Sequence, residues 1–306
     1  MREKTYLILF LLIAGLLLYL GHDLIRGSVL VAWGLTFSGT ATVAGLAIAL
    51  YRFRMELAAS RHELALKEAE LSFALQVQQA LFPRQLPRTY GLEFSAVCIP
   101  ARGISGDYYD VLPLTDGRLA FAIADISGKG ISAAILMANL QAFLRAVTPV
   151  TQLPNEVCAR LNEHLHQVTD ESKYATFFYA EWSRGEKRLR YVNAGHNPPF
   201  LFNADGRQNL DHGGLPLGVM PGTVYETGDV LMGAGDLLVL YSDGITEAGL
   251  SAGEEYGVAR LGALLASVKD RPLQEIQSSV LRAVRAWSGK DPEDDMTLVI
   301  VRAEGR

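Results

Sequence analysis

Two long apolar runs open the chain. Thr5–Leu20 is sixteen residues without a charge, and Ser28–Tyr51 is twenty-four. A helix over the second run is long enough to cross about 30 Å of hydrocarbon, and the first reaches that length if Gly21 sits at the interface. The connector Gly21–Gly27 is short, so the pattern predicts a helical hairpin with spans near 5–21 and 28–51. Gly34, Ser38, Gly39, Thr40, Thr42 and Gly45 give the second span small residues that permit close helix packing in lipid. From Arg52 to Leu81 the chain has neither Pro nor Gly, and Leu57, Leu64 and Leu71 recur every seven residues. This predicts a linker helix over 52–82 with a short coiled-coil seam, although Ser60 and Lys67 are poor partner positions. The same stripe also suits a single helix packed on its own domain. Phe82-Pro83 ends it, because a proline disfavours helix at the residue before it.

From Leu92 the period changes. Leu92–Ile99, Arg118–Ala124, Ala175–Trp182, Leu189–Val192, Phe200–Asn203, Asp236–Tyr241 and Met296–Val301 read as short strands bounded by Gly, Pro, Asn and Asp. Ile131–Val147, Pro154–Thr169, Gly257–Val268 and Leu273–Trp287 read as helices. The strands come in runs with hairpin-length connections, which predicts an α+β layered domain of mainly antiparallel sheets over 83–306.

Composition sharpens this picture in one place. The chain has 306 residues, a net charge of −5 and a mean hydropathy of +0.16, which is high for a soluble enzyme. Residues 1–51 hold only five formal charges, so the apolar excess belongs to the amino-terminal segment. Arg2 and Lys4 precede the first run, and Arg52, Arg54 and Arg61 follow the second. The positive-inside rule then predicts a multi-pass protein of the cell inner membrane with both termini, and the α+β domain, cytoplasmic. The absence of a basic footprint argues against nucleic acid as a partner. Cys98 and Cys158 stand in no metal or disulfide spacing, which reads as small apolar residues in a reducing compartment.

The chemistry lies in acids placed where strands meet turns. Ala122-Ile-Ala-Asp125 is an apolar strand ending in a carboxylate, followed by Ser127-Gly-Lys-Gly130 and a helix. Val239-Leu-Tyr-Ser-Asp243-Gly244 is a second such strand, Asp294-Asp295-Met-Thr opens a third, and Gly106-Asp107-Tyr-Tyr-Asp110 reads as a fourth acidic turn. Several aspartates at sheet ends, without Cys or His at ligand spacing, suit hard divalent ions such as Mg²⁺ or Mn²⁺. The glycines of 127–130 read as shaping the turn beside Asp125.

These motifs, together with Asn193-Ala-Gly-His-Asn-Pro-Pro199 and the preceding Gln78-Gln-Ala-Leu-Phe-Pro-Arg-Gln-Leu-Pro87, resemble the SpoIIE/RsbU-type branch of the PPM (protein phosphatase 2C-like) metal-dependent serine/threonine phosphatases. The resemblance spans about residues 75–303. It implies a central antiparallel β-sandwich flanked by helices with a two-metal site at one end. It also implies Asp125 as the bridging ligand with the Ile126 carbonyl beside it, Asp243 as a second ligand and Asp107 as a ligand directly or through water. Asp294 best matches the last ligand, with Asp295 in the position after it and one residue of ambiguity between them. Asp125, Asp243 and Asp294 are thus the implied catalytic residues, and Asp110 is open between ligand and structural roles. Arg102 matches a phosphate-contacting arginine and could equally be a solvated one. Relatives of the eukaryotic type carry Gly-Asp-Ser where this chain has Gly195-His196-Asn197, so two Mn²⁺ or Mg²⁺ ions are expected and a third is in doubt. His196 is open between a substrate contact and a loop-holding role. The implied substrate is a phosphorylated STAS-type anti-sigma-factor antagonist in a partner-switching pathway, with a homodimer formed through the linker helix. The alternative function is a non-catalytic membrane receptor or scaffold using a phosphatase-like fold.

Overall fold

The computed structural model describes residues 29–305 except Thr89, Arg102, Gln152, Glu171, Ser251, Ala252, Lys290 and Asp291, together with Gly15, Leu16, Tyr19 and Gly21. The expected first span therefore lies almost wholly outside the described residues. Two compact units emerge, 1–69 and 70–306.

In the first unit, helix α1 (Val29–Gln79) begins at the second apolar run and continues through the expected linker without a break. Val29, Leu30, Trp33 and Phe37 stand exposed along it, and it is long and apolar enough to cross a membrane. A helix that shows apolar side chains to all sides needs an apolar surrounding. The last turns of α1 fall in the second unit. Gln78, in those turns, is the one residue of the helix that is buried among the described residues.

The second unit stacks four layers. One sheet has the order β1 (Leu92–Ile99), β11 (Met296–Ala303), β10 (Leu237–Tyr241), β6 (Phe200–Asn203), β7 (Gly206–Asn209). The other has β2 (Tyr108–Pro113), β3 (Leu119–Ile126), β4 (Ala175–Ser183), β5 (Arg188–Ala194), β8 (Gly213–Gly214), with β9 (Gly228–Leu231) also on β5. All pairings are antiparallel except β5 with β8. Side-chain alternation assigns each strand to two cores. In β3, Leu119, Phe121 and Ile123 pack between the sheets with Leu238 and Val299. Ala120, Ala122, Ala124 and Ile126 turn the other way, toward α2 (Ile131–Val147) and α3 (Pro154–Val168). A third core joins the outer face of the first sheet to α5 (Gly257–Val268) and α6 (Leu273–Ser288). The short α4 (Asp243–Thr246) follows β10.

The helices obey the same logic. Met137, Leu140, Leu144 and Val147 of α2 and Ile276, Val280 and Val284 of α6 recur at three and four residues and are buried. Gly289 closes α6 in the left-handed region at φ 61°. Full burial of a side chain such as Phe121, Phe177 or Phe178 contributes about 2–3 kcal/mol each.

The expected strands and helices recur within a residue or two of their read bounds, with β2, β7, β8 and β9 added. One reading is corrected: Asp110 lies inside strand β2, so of Gly106–Asp110 only Gly106 and Asp107 precede the strand.

Candidate active site

Alternation also decides which acids meet. Asp125 is the penultimate residue of β3 and shares the parity of Phe121 and Ile123, so it points between the sheets at their end. Asp107 immediately precedes β2 with the parity of Tyr109 and Val111, and is buried on the same side. From the facing sheet, Asp243 follows β10 at the start of α4, and Asp294 and Asp295 precede β11. Five carboxylates from four strand ends thus gather at one end of the sandwich.

Their charges press on one another. Burial, then the Asp243, Asp294 and Asp295 carboxylates, push Asp125 up to about 7. Burial, then Glu247 and Asp294, push Asp243 up to about 6. Asp107, wholly buried beside Asp125, is held well above the usual carboxylate range, with the Thr297 and Ser242 hydroxyls only partly offsetting the burial. Its Oδ2 has no hydrogen-bond partner. In this arrangement no three His, Cys, Asp or Glu side chains among the described residues converge on a single ion position.

The two adjacent acids do different work. Both Asp295 oxygens are taken: Oδ1 accepts from the Ala101 N–H at 2.8 Å, and Oδ2 accepts from the Gly106 N–H at 2.7 Å and Ser105 Oγ at 2.9 Å. Asp295 therefore clamps the 101–106 segment that presents Asp107. Asp294 Oδ1 accepts from the Asp295 N–H at 2.9 Å, and its Oδ2 meets Lys129 Nζ at 2.6 Å.

Ser105 is the hub of this segment. Its Oγ accepts from the Asp107 N–H at 3.0 Å, its N–H donates to Gln78 Oε1 at 2.9 Å, and its carbonyl accepts from Gln78 Nε2 at 2.7 Å. The end of α1 is thereby joined to the acid cluster through two shared residues. On the other side, Ser242 receives the Thr297 N–H at 2.9 Å and donates to the Asp295 carbonyl at 3.2 Å. A Cβ at Gly106 would stand 3.2 Å from the Ile126 carbonyl and 3.3 Å from Ala133, crowding the space in front of that oxygen.

Asp110 points the opposite way, three residues from Asp107 along the strand. It is buried, forms a forked ion pair with Arg145 of α2 at 2.7 and 3.0 Å, accepts the Val111 N–H at 2.9 Å and is hydrogen-bonded by Tyr108. This is a strap between sheet and helix. Asp110→Ala leaves Arg145 and Tyr108 unpaired and is expected to cost about 2 kcal/mol of domain stability, with Mn²⁺ affinity unmoved. Denaturant unfolding and calorimetric metal titration check both halves.

His196 is buried with Nδ1 2.8 Å from Thr176 Oγ1, while its N–H donates to Asn193 Oδ1 at 2.7 Å. Thr176 is the strand partner of Asp125, so the Asn193–Pro199 loop props the sheet behind that acid. Burial holds the ring down to about 4, with the Tyr241 backbone opposing, and the imidazole is neutral at physiological pH. Gly195, at φ 68°, sits where a Cβ would come within 2.5 Å of Pro216, so the loop needs glycine there. Arg102 lies outside the described residues. Burial lifts Cys98 to about 12 and raises Cys158 further, so neither thiol is a ready nucleophile.

Ser105, Lys129 and Gln78 bear on this centre, and the sequence reading assigned none of them a part in it. Lys129 had a signal, a cation set between two glycines just beyond the Asp125 turn. Gln78 stood only in the Gln78–Pro87 stretch that helped carry the family resemblance.

Comparison with known proteins agrees with this architecture. The sequence profile of the Stage II sporulation protein E (SpoIIE) family matches residues 115–304. Phosphoserine phosphatase RsbU of Bacillus subtilis is 30% identical over 240 residues, covering 77% of this chain and 70% of that protein. The SiaA-PP2C domain of Pseudomonas aeruginosa superposes with a TM-score of 0.69 at 20% identity, covering 78% of this chain and 98% of that one. The PP2C phosphatase domain of SpoIIE from Bacillus subtilis, solved with a fragment of its regulatory domain, superposes with a TM-score of 0.61 at 24% identity, covering 69% and 63%.

Proposed function

We propose, from the premise that this chain belongs to the SpoIIE family and is a PP2C-type serine/threonine phosphatase, that it hydrolyses phosphoserine or phosphothreonine on a STAS-type anti-sigma-factor antagonist in a partner-switching pathway. The observation that carries the reading is the set of carboxylates brought from both sheets to one end of the sandwich, with the Asp107 oxygen buried and unpaired. An all-oxygen donor set of this kind fits hard divalent ions, Mn²⁺ or Mg²⁺.

In this reading Asp107, Asp125, the Ile126 carbonyl, Asp243 and Asp294 hold two ions, while Asp295 positions the segment that carries Asp107. Bound there, the ions supply a water activated at neutral pH and neutralise phosphoryl charge. Arg102 contacts the substrate phosphate through its fork of donors. His196, buried and neutral, holds its loop and donates no proton.

The test uses the full chain in detergent with a serine-phosphorylated STAS-domain protein. Release of inorganic phosphate with Mn²⁺ supports the reading; tight binding of the phosphoprotein without phosphate release overturns it in favour of the scaffold alternative.

The apolar stretch of α1 anchors the protein in the inner membrane, with residues 1–51 as the membrane segment and the catalytic unit in the cytoplasm. The stretch 52–81 pairs with that of a second copy through Leu57, Leu64 and Leu71, which are exposed along α1. The Gln78–Ser105 pair of hydrogen bonds is the route by which helix geometry reaches the acids. Inserting one or two residues near Ala69 should therefore lower or raise turnover several-fold, whereas inserting seven should restore it. Equal turnover across the series contradicts this coupling.

A further inference from the structure

Lys129 stands in the turn before α2, between Gly128 (φ 99°) and Gly130 (φ 77°), two glycines whose left-handed backbone shapes that turn. Its ammonium lies 2.6 Å from Asp294 Oδ2 and 3.4 Å from the Glu293 carbonyl. Its charge also acts on Asp125 and Asp243, opposing their mutual repulsion. One side chain thus bears on three of the acids assigned above to the ions. It is also half-exposed, so it can leave the cluster without crossing a packed core.

We propose that Lys129 is the resident counter-ion of this site: its ammonium occupies the cation position facing Asp294, and a divalent ion must displace it to bind there. The proposal rests on the metal-site reading of the cluster and deepens it. Lys129 is a positioning residue, acting through Asp294, and its place in the loop sets the metal concentration at which that position fills. An unpaired acid cluster would take up metal more readily but would be less stable without it. The lysine trades part of the ion's affinity for an apo site whose charges are partly balanced.

The experiment is calorimetric titration of the full chain in detergent with Mn²⁺ alone, comparing wild type, Lys129→Gln and Lys129→Arg, each also melted in excess chelator. An exposed ion pair of this kind is worth about a five-fold change in binding. Lys129→Gln should fill its weaker Mn²⁺ position at about five-fold lower free metal and melt earlier in chelator at pH 8. Lys129→Arg should keep wild-type values in both. Equal or weaker Mn²⁺ binding by Lys129→Gln overturns the proposal while leaving the metal reading intact. No saturable Mn²⁺ binding by the wild type overturns both.

Discussion

Asp125→Asn is expected to cut phosphate release by about a thousand-fold or more, because it removes the carboxylate placed between the other acids, and several kcal/mol of charge stabilisation go with it. The same change should stabilise the metal-free protein at alkaline pH. Asp125 is pushed up to about 7 and Asp243 to about 6, both above the unfolded value near 4. Acids raised in this way contribute stability that is full below pH 4 and is lost as pH climbs through 6 and 7. In chelator, wild type should therefore melt lower at pH 8 than at pH 5. Asp125→Asn removes much of that loss, worth about 1–2 kcal/mol after allowance for solvent screening. For a unit of this size the gain is about 3–6 °C at pH 8, smaller at pH 5, and close to none below pH 4. Saturating Mn²⁺ should reverse the order, stabilising wild type and leaving the variant behind. A variant that melts no higher than wild type in chelator at pH 8 contradicts the account of a repelling acid cluster.

Gly244→Ala is the second change with a large expected effect. A Cβ at Gly244 would stand 2.1 Å from the Asp295 carbonyl and 2.9 Å from its carbon. Backbone is what it meets, so one of two turns must move. Either movement separates Asp243 from Asp294 and disturbs Ser242, whose hydroxyl joins the same turns. The cost in stability should be about 2–3 kcal/mol, with Mn²⁺ affinity falling at least about ten-fold. Denaturation and metal titration of the same preparation measure both. Normal metal affinity in a folded Gly244→Ala protein would show that the two turns do not act as one unit.

Much of this site was legible from residue order. Apolar strands ending in Asp125 and Asp243, and an acid pair opening Met296–Ala303, placed the acids at sheet ends before any coordinates were known. Strict alternation could also have separated Asp107 from Asp110, since residues three apart on a strand face opposite sides. The Gly-Asp-Tyr-Tyr-Asp run was read as a turn because its acids mask the apolar pattern of Tyr108 and Val111. Strands β7 (Gly-Arg-Gln-Asn) and β9 (Gly-Asp-Val-Leu) were missed for a related reason. β7 is wholly exposed at a sheet edge, and β9 has only four residues with Asp229 and Leu231 exposed, too short a stretch to set a readable period.

Resemblance favours Asp294 over Asp295, while the residue types themselves do not separate the two. Adjacent identical residues differ only in their partners, and here three donors claim Asp295 while an ammonium faces Asp294. The role of Gln78 likewise depends on Ser105, 27 residues away along the chain. The unbroken helix Val29–Gln79 was expected as two pieces because its composition changes at Arg52 while its backbone does not.

The central claim is that carboxylates from both sheets form one divalent-metal site that drives phosphate release. Phosphate release from a serine-phosphorylated protein by the full chain, followed across a free Mn²⁺ series buffered from chelator excess to saturation, tests it most directly. The account predicts no turnover above background in chelator, a saturable rise with Mn²⁺, and a parallel rise in melting temperature over the same metal range. Full turnover in excess chelator would contradict it.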